Sequence, residues 1–357
     1  MAKVTMKIAI CAPLNLDLAG GVETHILEIS QALRRLGQKV DTIGNTFNGE
    51  HLLFNNFQAE KYDIIHTHGS AFCCRFLSLA ARRLSRQRHV HTLHGVSLDY
   101  LINCRDWLNW RGYTSTVIEG LFCRYADHVI AVSESIKKRA QRCFALKPRK
   151  ISVIPNGYSP HFSAKNSRAH TRRQLGLATD EIVILFVGRG QDKVKGAAAV
   201  TAALKQLREK YPLIRLLAVP GSGFDDAEWL CRSGPIKHDK MPALYQAADI
   251  FVNASLNEGM PLTVIEALAA GLPVVASPVG GIPEIITPNK TGLLLRKDRR
   301  DLREQLTRLI DNGALRHRLS RPARQTVQPL TWDHLARQTV EVYESLKNKY
   351  PQGTKYL

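Results

Sequence analysis

The strongest chemical pattern in the chain is a pair of glutamates, Glu258 and Glu266, within the segment SLNEGMPLTVIEALAAGLPVVASPVGGIPEI at residues 255–285. A Gly-Met-Pro loop follows Glu258, and the pattern predicts a helix that begins near Thr263 and carries Glu266. The first N–H groups of a helix have no partner inside it and form the positive end of its dipole. This loop and helix end are therefore suited to binding a diphosphate.

Histidines crowd one predicted sheet edge of the N-terminal half: His66, His68, His89, His91 and His94. Their number alone would allow a metal cluster. No carboxylate accompanies them, and alternation along a strand sends neighbouring side chains to opposite faces of the sheet. We therefore predict no metal at these positions.

Two series of short strands and helices must position these groups. The first contains KIAICA, VDTI, DIIHTH, VHTL, HVIAV and ISVIP, with a helical pattern at residues 22–37 after the first strand. The second begins near Ile182 and contains IVILFVGRG, LIRLLAVPG, ADIFVNAS, LPVVAS and TGLLL. Such alternation predicts two parallel sheets. The polar segment between them, residues 155–176, is interpreted as a linker.

Together with seven other segments, the two-glutamate run resembles the GT-B glycosyltransferases, specifically the large retaining family usually numbered four. The hallmark of that family is a Glu-x7-Glu element followed by a Gly-Xaa-Pro-Val strand. The other segments occur in the family's order along nearly the whole chain: AGGVETHILEIS, DIIHTH, HTLHG, ADHVIAVSES, VIPNGY, FVGRGQDKVKG and ALYQAADIFVNAS.

The resemblance implies an α/β protein of the GT-B fold, in which two doubly wound, Rossmann-like domains face each other across a cleft. We expect an N-terminal, acceptor-side domain of residues 1–160 that also includes the C-terminal helix and residues 332–357. The nucleotide-sugar-binding domain is expected at residues 165–331. The implied reaction is retaining transfer of a hexosyl unit from a UDP- or GDP-sugar to a hydroxyl group.

The resemblance also implies roles for individual residues. Arg189 and Lys195 match the cations that hold the donor diphosphate, although Lys193 is a neighbouring candidate for the lysine. Glu266 matches the residue that binds the ribose hydroxyls, and Glu258 matches the residue beside the donor sugar. With His94, the residues Arg189, Lys195 and Glu258 form the implied catalytic set.

Further donor contacts are implied at both ends of the chain. Gly20 and Gly21 would let the backbone approach the donor phosphates, because glycine has no Cβ. His94 matches a histidine that contacts the donor sugar. The loop after the first glutamate supplies the remaining donor-binding residues: Gly259, Met260, Pro261, Leu262 and Thr263. The family usually has an aromatic residue where Met260 stands.

One interval departs from the family. Between Gly223 and Tyr245 the chain has about twenty residues, where family members have a longer helix and another strand. This region commonly helps to hold the base, so uracil, guanine and adenine all remain open.

No cofactor is expected beyond the nucleotide-sugar substrate. The chain contains no Asp-x-Asp, the metal-chelating motif of the other main glycosyltransferase fold, so we predict that a divalent metal is not required. It also lacks a convincing phosphate-binding loop of nucleotide hydrolases or a dinucleotide-binding glycine motif.

The formal net charge of +19 indicates an anionic partner. Residues 75–150 contain 15 basic and five acidic residues. The segment 72–88 resembles a basic amphipathic helix, and the aromatic residues Trp107, Trp110 and Tyr113 follow it, which suits an anionic membrane surface. Alternatively, this helix packs on the sheet and its arginines are solvated. Nucleic acid is a further candidate, but no recognised nucleic-acid module is present.

Seven cysteines without a C-x-x-C pair suit neither a disulfide framework nor a zinc module. The chain has no signal-like or membrane-spanning apolar run, so we expect a cytoplasmic enzyme, peripheral at the inner face of the membrane. The acceptor would be a glycan or lipid-linked glycan in lipopolysaccharide or other cell-surface polysaccharide synthesis. The alternatives are a small soluble acceptor, such as a sugar phosphate or an antibiotic core, and a non-enzymatic protein that binds nucleic acid or another polyanion.

Overall fold

The structure is a computed structural model that describes residues 5–11, 20–43, 58–69, 87–103, 110–163 and 168–349. The chain divides into two compact units. The N-terminal unit contains the residues up to Gly157 and those from Trp332 onwards, and the C-terminal unit spans Tyr158–Thr331. Each unit is built on a six-stranded sheet whose neighbouring strands are parallel. The predicted α/β class with two doubly wound sheets is therefore confirmed.

The N-terminal sheet has the strand order β2-β1-β3-β4-β5-β6. Its strands coincide with the six segments that the apolar pattern predicts, and most of their residues are buried, as expected for a parallel sheet. They are β1 (Lys7–Cys11), β2 (Lys39–Ile43), β3 (Ile64–His68), β4 (Arg88–Leu93), β5 (His128–Ala131) and β6 (Ile151–Val153).

Helices in the N-terminal unit are α1 (Gly21–Arg35), α2 (Ser97–Asn103), α3 (Trp110–Tyr125), α4 (Glu134–Phe144) and α12 (Trp332–Lys349). Helix α1 buries Ile26, Ile29 and Leu33, which recur at helical spacing. It packs against α12, so the last helix of the chain belongs to the N-terminal unit.

The C-terminal sheet has the order β12-β11-β10-β7-β8-β9. This is the strand order of dinucleotide-binding Rossmann folds, in which the chain reverses its direction of winding between the first and fourth strands. The strands are β7 (Ile182–Gly188), β8 (Ile214–Pro220), β9 (Leu230–Arg232), β10 (Ile250–Asn253), β11 (Val274–Ala276) and β12 (Leu293–Leu294).

Seven helices belong to the described part of the C-terminal unit. They are α5 (Arg168–Gln174), α6 (Ala197–Arg208), α7 (Met241–Ala247), α8 (Leu262–Ala270), α9 (Ile282–Ile285), α10 (Leu302–Asp311) and α11 (Gly313–Val327).

The predicted linker is partly helical, because α5 lies inside residues 155–176. Its Arg172 is buried and donates to an Asp249 carboxylate oxygen at 2.7 Å and to the Ala247 carbonyl at 2.9 Å. Desolvation lowers the pKa of Arg172 below its usual value, although Asp249 opposes this. A buried charge of this kind leaves no apolar period in the sequence, so the pattern missed the helix.

The interval between Gly223 and Tyr245 is short, but it still contains a strand. Strand β9 lies in this interval and pairs with β8 at the sheet edge. A 3₁₀ turn at His238–Lys240 then leads directly into α7.

The predicted basic helix at 72–88 lies mostly outside the described residues, and its last residue, Arg88, instead begins strand β4. The predicted aromatic cluster is described only from Trp110 onwards. Among the helices of the described ranges, none combines the length and apolar character that crossing a membrane requires.

Candidate active site

The loops that follow β7 and β10 meet at one edge of the C-terminal sheet. Arg189 and Lys195 lie in the loop after β7, and Glu258 lies in the loop after β10. The two strands are neighbouring and parallel, so their carboxyl ends share an edge. The Leu256 N–H donates to the Val194 carbonyl at 2.7 Å and joins the two loops. In open α/β sheets this switch point is where ligands bind.

Lys195 and Glu258 form the central contact of this edge. The Lys195 Nζ lies 2.8 Å from Glu258 Oε1, and the side chains are 35% and 9% exposed. The Ser255 hydroxyl donates to the same oxygen at 2.6 Å, and the Asn253 Nδ2 lies 3.4 Å from it. Three donors thus converge on Oε1, which fixes the carboxylate of Glu258 next to a partly exposed ammonium group.

The remaining cations of this loop are on the surface. Arg189 directly follows β7 and is exposed, as is Lys193. Of the two lysines that the motif left open, Lys195 therefore contacts Glu258, whereas Lys193 extends into solvent.

Two glycines allow the backbone to pack closely around these loops: Gly196, which precedes α6, and Gly280, which follows β11. A Cβ on Gly196, where φ is +78°, would lie 2.1 Å from the Ala254 carbonyl oxygen. A Cβ on Gly280, where φ is +55°, would lie 2.0 Å from the Glu258 carbonyl oxygen. The neighbouring Gly281 N–H donates to the Gly259 carbonyl at 2.7 Å. The sequence interpretation assigned no role to the Gly-Gly pair, although its place in the same run was a signal.

Helix α8 begins at Leu262, one residue before the predicted start. Its N-cap residue is Pro261, whose side chain makes no capping hydrogen bond. The first-turn N–H groups, including that of Thr263, therefore have no side-chain cap, and the first turn contains no acidic residue. The Met260 side chain is buried, so the loop offers its backbone rather than this side chain to a ligand.

Glu266 is held from two sides. The His238 Nε2 lies 2.7 Å from Glu266 Oε1, and the Tyr245 hydroxyl donates to Oε2 at 2.8 Å. Burial raises the pKa of Tyr245 well above its usual value, and the Glu266 charge adds to this effect, so the phenol remains a donor. Sequence reasoning missed both partners: His238 lies in the shortened interval, and Tyr245 lies in the segment ALYQAADIFVNAS, to which no role was assigned residue by residue.

In the N-terminal unit, Gly20 and Gly21 begin α1. A Cβ on Gly21 would meet nothing within 4 Å, and the atoms nearest to one on Gly20 would belong to the Glu23 side chain, whose nearest oxygen is 2.1 Å away. The described residues alone therefore do not require glycine here.

His94, which is half-buried, belongs to a histidine cluster that also contains the buried His25 and His68. The His94 Nε2 lies 3.1 Å from His68 Nδ1, and the His25 and His94 rings meet edge-to-face at 4.7 Å. The His25 Nδ1 lies 2.8 Å from the Asn156 Oδ1. An amide oxygen only accepts, so His25 donates from Nδ1 and keeps its Nε2 lone pair.

One group of side chains in the described ranges has metal-binding geometry. His25, His68 and His94 each offer one nitrogen, and these atoms lie within 4.8 Å of one another. His25 was not among the histidines considered from the sequence. His89 and His91 lie 2.8 Å from the hydroxyl of Thr67, which stands between His66 and His68 in β3 and faces the opposite side. Metal independence stays a prediction.

Acid should destabilise the N-terminal unit through these histidines. Burial lowers the pKa of His25 from 6.5 to about 4, opposed by its bond to Asn156, and lowers the pKa of His68 and His94 well below 6.5. At a pH between the usual pKa of histidine and the lowered pKa of the folded protein, the unfolded chain binds protons that the folded chain does not. The free energy of unfolding therefore falls as the pH falls. We expect His25 alone to reduce the unfolding free energy by about 1 kcal/mol between pH 7 and pH 5.5. Denaturant unfolding at the two pH values measures this, and equal stability would contradict it.

Comparisons with known proteins agree with this architecture. The model of the family "Glycosyl transferases group 1" matches residues 167–326, and the model "Glycosyltransferase Family 4" matches residues 51–162. An uncharacterized glycosyltransferase of Methanocaldococcus jannaschii is 27% identical over 92% of this chain and 95% of its own length. A D-inositol 3-phosphate glycosyltransferase of Streptomyces avermitilis is 31% identical over 79% of this chain and 65% of its own length.

Solved structures share the fold. Sucrose-phosphate synthase from Thermosynechococcus elongatus superposes with a TM-score of 0.84 at 24% identity, over 96% of this chain and all of that one. Anabaena HepE in complex with UDP-glucose gives a TM-score of 0.74 at 19% identity, over 95% of this chain and all of that one. The two family matches and the two doubly wound sheets show that the chain belongs to the GT-B glycosyltransferases of family four.

Proposed function

We propose that the chain is a retaining hexosyltransferase that uses a UDP- or GDP-sugar and transfers the hexosyl unit to a hydroxyl group. The observation that carries this proposal is the contact of Lys195 with Glu258 at the switch point of the C-terminal sheet, in the loop that leads into the uncapped start of α8. A cation and a helix N-terminus at one edge suit a diphosphate. The Anabaena structure contains UDP-glucose, which favours a UDP-sugar.

Charge stabilisation accounts for the proposed chemistry. When the bond between the anomeric carbon and the phosphate oxygen breaks, negative charge develops on the diphosphate. Lys195, Arg189 and the N–H groups of Leu262 and Thr263 stabilise that charge. The departing phosphate oxygen takes the proton of the acceptor hydroxyl on the face where the new bond forms. Configuration is then retained without an enzymic nucleophile, and a covalent glycosyl adduct on Glu258 would contradict this mechanism.

The other candidate residues of the site are assigned to the ribose and the sugar of the donor. Glu266 accepts hydrogen bonds from the ribose hydroxyls, and Glu258 and the backbone of residues 259–262 lie along the sugar. From the N-terminal unit, His94 contributes a hydrogen bond to the sugar. Burial keeps the pKa of His94 well below its usual value, so the neutral ring can donate or accept. Gly20 and Gly21 provide close backbone approach to the phosphates.

A thermal-shift panel tests the donor assignment. UDP, GDP, ADP and their sugars are added in the presence of EDTA, because a ligand that binds only the folded state raises the melting temperature. We expect one nucleotide and its sugar to stabilise the protein, with no change when EDTA is replaced by magnesium. Stabilisation only with magnesium would overturn metal independence. No stabilisation under either condition would overturn the donor site and favour the polyanion-binding alternative.

For the acceptor, two classes have support. The relatives named for inositol 3-phosphate and sucrose phosphate favour a small phosphorylated acceptor. The basic N-terminal region instead favours a lipid-linked glycan at an anionic membrane, as in lipopolysaccharide or other cell-surface polysaccharide synthesis. A transfer assay with sugar phosphates and with lipid-linked acceptors separates these classes.

An exposed apolar stripe on α3 supports the membrane alternative. Five apolar or aromatic residues recur there every three or four positions, and two of them, Trp110 and Val117, are 67% and 64% exposed. The stripe consists of Trp110, Tyr113, Val117, Leu121 and Tyr125. The opposite side of the helix is buried through Phe122 and Cys123. One side of α3 is therefore packed inside the protein, and the other exposes apolar side chains. Because α3 lies in the basic region of the chain, this exposed side suits an anionic membrane interface.

Vesicle binding should depend on this stripe. We expect the wild type to co-sediment with vesicles containing phosphatidylglycerol and to dissociate in high salt. Replacing both Val117 and Leu121 by serine should weaken binding by about tenfold, because about 1.5 kcal/mol of apolar burial is lost. The control is Leu213→Ser, at an exposed leucine of the C-terminal unit. Equal binding by both variants would contradict a membrane role for α3.

A further inference from the structure

Two side chains of the protein donate to the carboxylate of Glu266 in the absence of a ligand. The side chain is 4% exposed, and both carboxylate oxygens already accept a hydrogen bond in the free protein. Phe162, which is buried, packs its ring 5.4 Å from the His238 ring and 5.4 Å from the Tyr245 ring. Both donors are thus fixed before any ligand arrives.

We propose that His238 and Tyr245 are positioning residues that orient the Glu266 carboxylate so that it accepts both ribose hydroxyls of the nucleotide and discriminates ribose from deoxyribose. This inference rests on the proposed function, since it requires a nucleotide at the switch point. It adds two residues to the site, neither of which belongs to the Glu-x7-Glu element.

The number of lone pairs on the Glu266 carboxylate is enough for the two protein donors and the two ribose hydroxyls at once. A carboxylate offers about four lone-pair sites on its two oxygens. His238 Nε2 occupies one site on Oε1, and the Tyr245 hydroxyl occupies one on Oε2. One site therefore remains on each oxygen, and two neighbouring ribose hydroxyls can donate to them at once. Without the two donors the carboxylate could rotate and lose this paired arrangement.

The position of Glu266 along α8 fits the same ligand. It lies four residues after Leu262, the first residue of the helix, which is about 6 Å along the helix axis. The ribose of a nucleotide is attached directly to the diphosphate. A diphosphate at the first turn of α8 therefore brings the ribose to the depth of Glu266.

The donors have defined protonation. A carboxylate only accepts, so His238 carries a proton on Nε2 in either of its charge states. The Tyr245 hydroxyl also approaches the Thr263 carbonyl at 3.3 Å, but its contact with Glu266 Oε2 is the shorter one. Removing either donor therefore frees one carboxylate oxygen without removing the charge.

Nucleotide discrimination tests the proposal. The affinities of UDP, GDP and ADP are measured first, and the tightest of them is compared with its 2′,3′-dideoxy analogue. We expect the wild type to prefer the ribonucleotide by about 100-fold, because the analogue leaves the remaining acceptor site on each oxygen of this buried carboxylate without a donor. His238→Ala and Tyr245→Phe should each lower this ratio to about tenfold, mainly by weakening the ribonucleotide. His238→Gln, which keeps an N–H donor, should restore most of the ratio.

Matched controls separate positioning from structural support. Tyr211→Phe removes a hydroxyl that donates to the exposed Asp311 carboxylate at 2.9 Å, and His317→Ala removes an exposed histidine of α11. Both should leave the ratio unchanged. If His238→Ala and Tyr245→Phe weaken the ribonucleotide and the dideoxy analogue equally, or change neither, the positioning role is overturned while the donor site stands. If the wild type binds none of the three nucleotides, the proposed function itself fails.

Discussion

Replacement of Lys195 by alanine should lower kcat by about 10²–10³-fold, because a cation aimed at developing charge contributes mostly in the transition state. The Lys195 Nζ is held 2.8 Å from Glu258 Oε1 and is partly exposed, so it is fixed beside the loop that would hold the diphosphate. The effect should fall mainly on kcat rather than on KM. Steady-state release of the nucleoside diphosphate from the nucleotide sugar measures both.

Lys193→Ala is the matched control for this variant. Lys193 lies two residues before Lys195 and its side chain is exposed to solvent. The substitution therefore removes the same charge from an exposed position. An exposed charge is screened, so we expect kcat within about threefold of the wild type. A melting temperature close to that of the wild type would show that Lys195→Ala acts on catalysis rather than folding. Equal losses in the two lysine variants would contradict the assignment.

Replacement of Gly280 by alanine should destabilise the C-terminal unit by about 4 kcal/mol, because the new side chain would clash with backbone and would be strained at a positive φ. The new Cβ would lie 2.0 Å from the Glu258 carbonyl oxygen and 2.8 Å from that of Gly259. Neither atom is the end of a flexible side chain, so the loop that carries Glu258 must move. Denaturant unfolding and nucleotide affinity should both report the change.

Gly176→Ala separates the clash from the effect of backbone conformation. Gly176 also has a positive φ, +66°, but a Cβ there would meet nothing within 4 Å. This variant should cost only about 1–2 kcal/mol, the strain of placing a side chain in the left-handed region. Nucleotide affinity should be unchanged. If Gly280→Ala is no more destabilising than Gly176→Ala, the close packing of Gly280 against the loop that carries Glu258 is wrong.

The sheets could be predicted because their strands are buried on both faces and therefore appear as apolar runs. Ile8 and Ile10 of β1, and Ile184 and Leu185 of β7, are completely buried. Strand β9 has three residues at a sheet edge, of which only Cys231 is buried, and it leaves no such run. The interval is therefore recognised as short from its length, but nothing in its apolar pattern indicates the strand that it contains.

Residues of the candidate site were predictable where each lies inside a short motif that follows a strand. Lys195 and Glu258 lie in loops that follow neighbouring strands, and such loops share a sheet edge. His238 and Tyr245 contact Glu266 from more than twenty residues away in sequence. Likewise, the contact of His25 with Asn156 spans 131 positions. Pairings of this kind arise from tertiary packing, which no local spacing encodes.

The central claim is that a nucleotide diphosphate binds at the switch point of the C-terminal sheet. A crystal structure with the nucleotide that stabilises the protein most tests this directly. We expect the diphosphate at the first turn of α8 within hydrogen-bond distance of Lys195, and the ribose hydroxyls on Glu266. A nucleotide bound elsewhere on the chain, with Lys195 still paired only to Glu258, would contradict it.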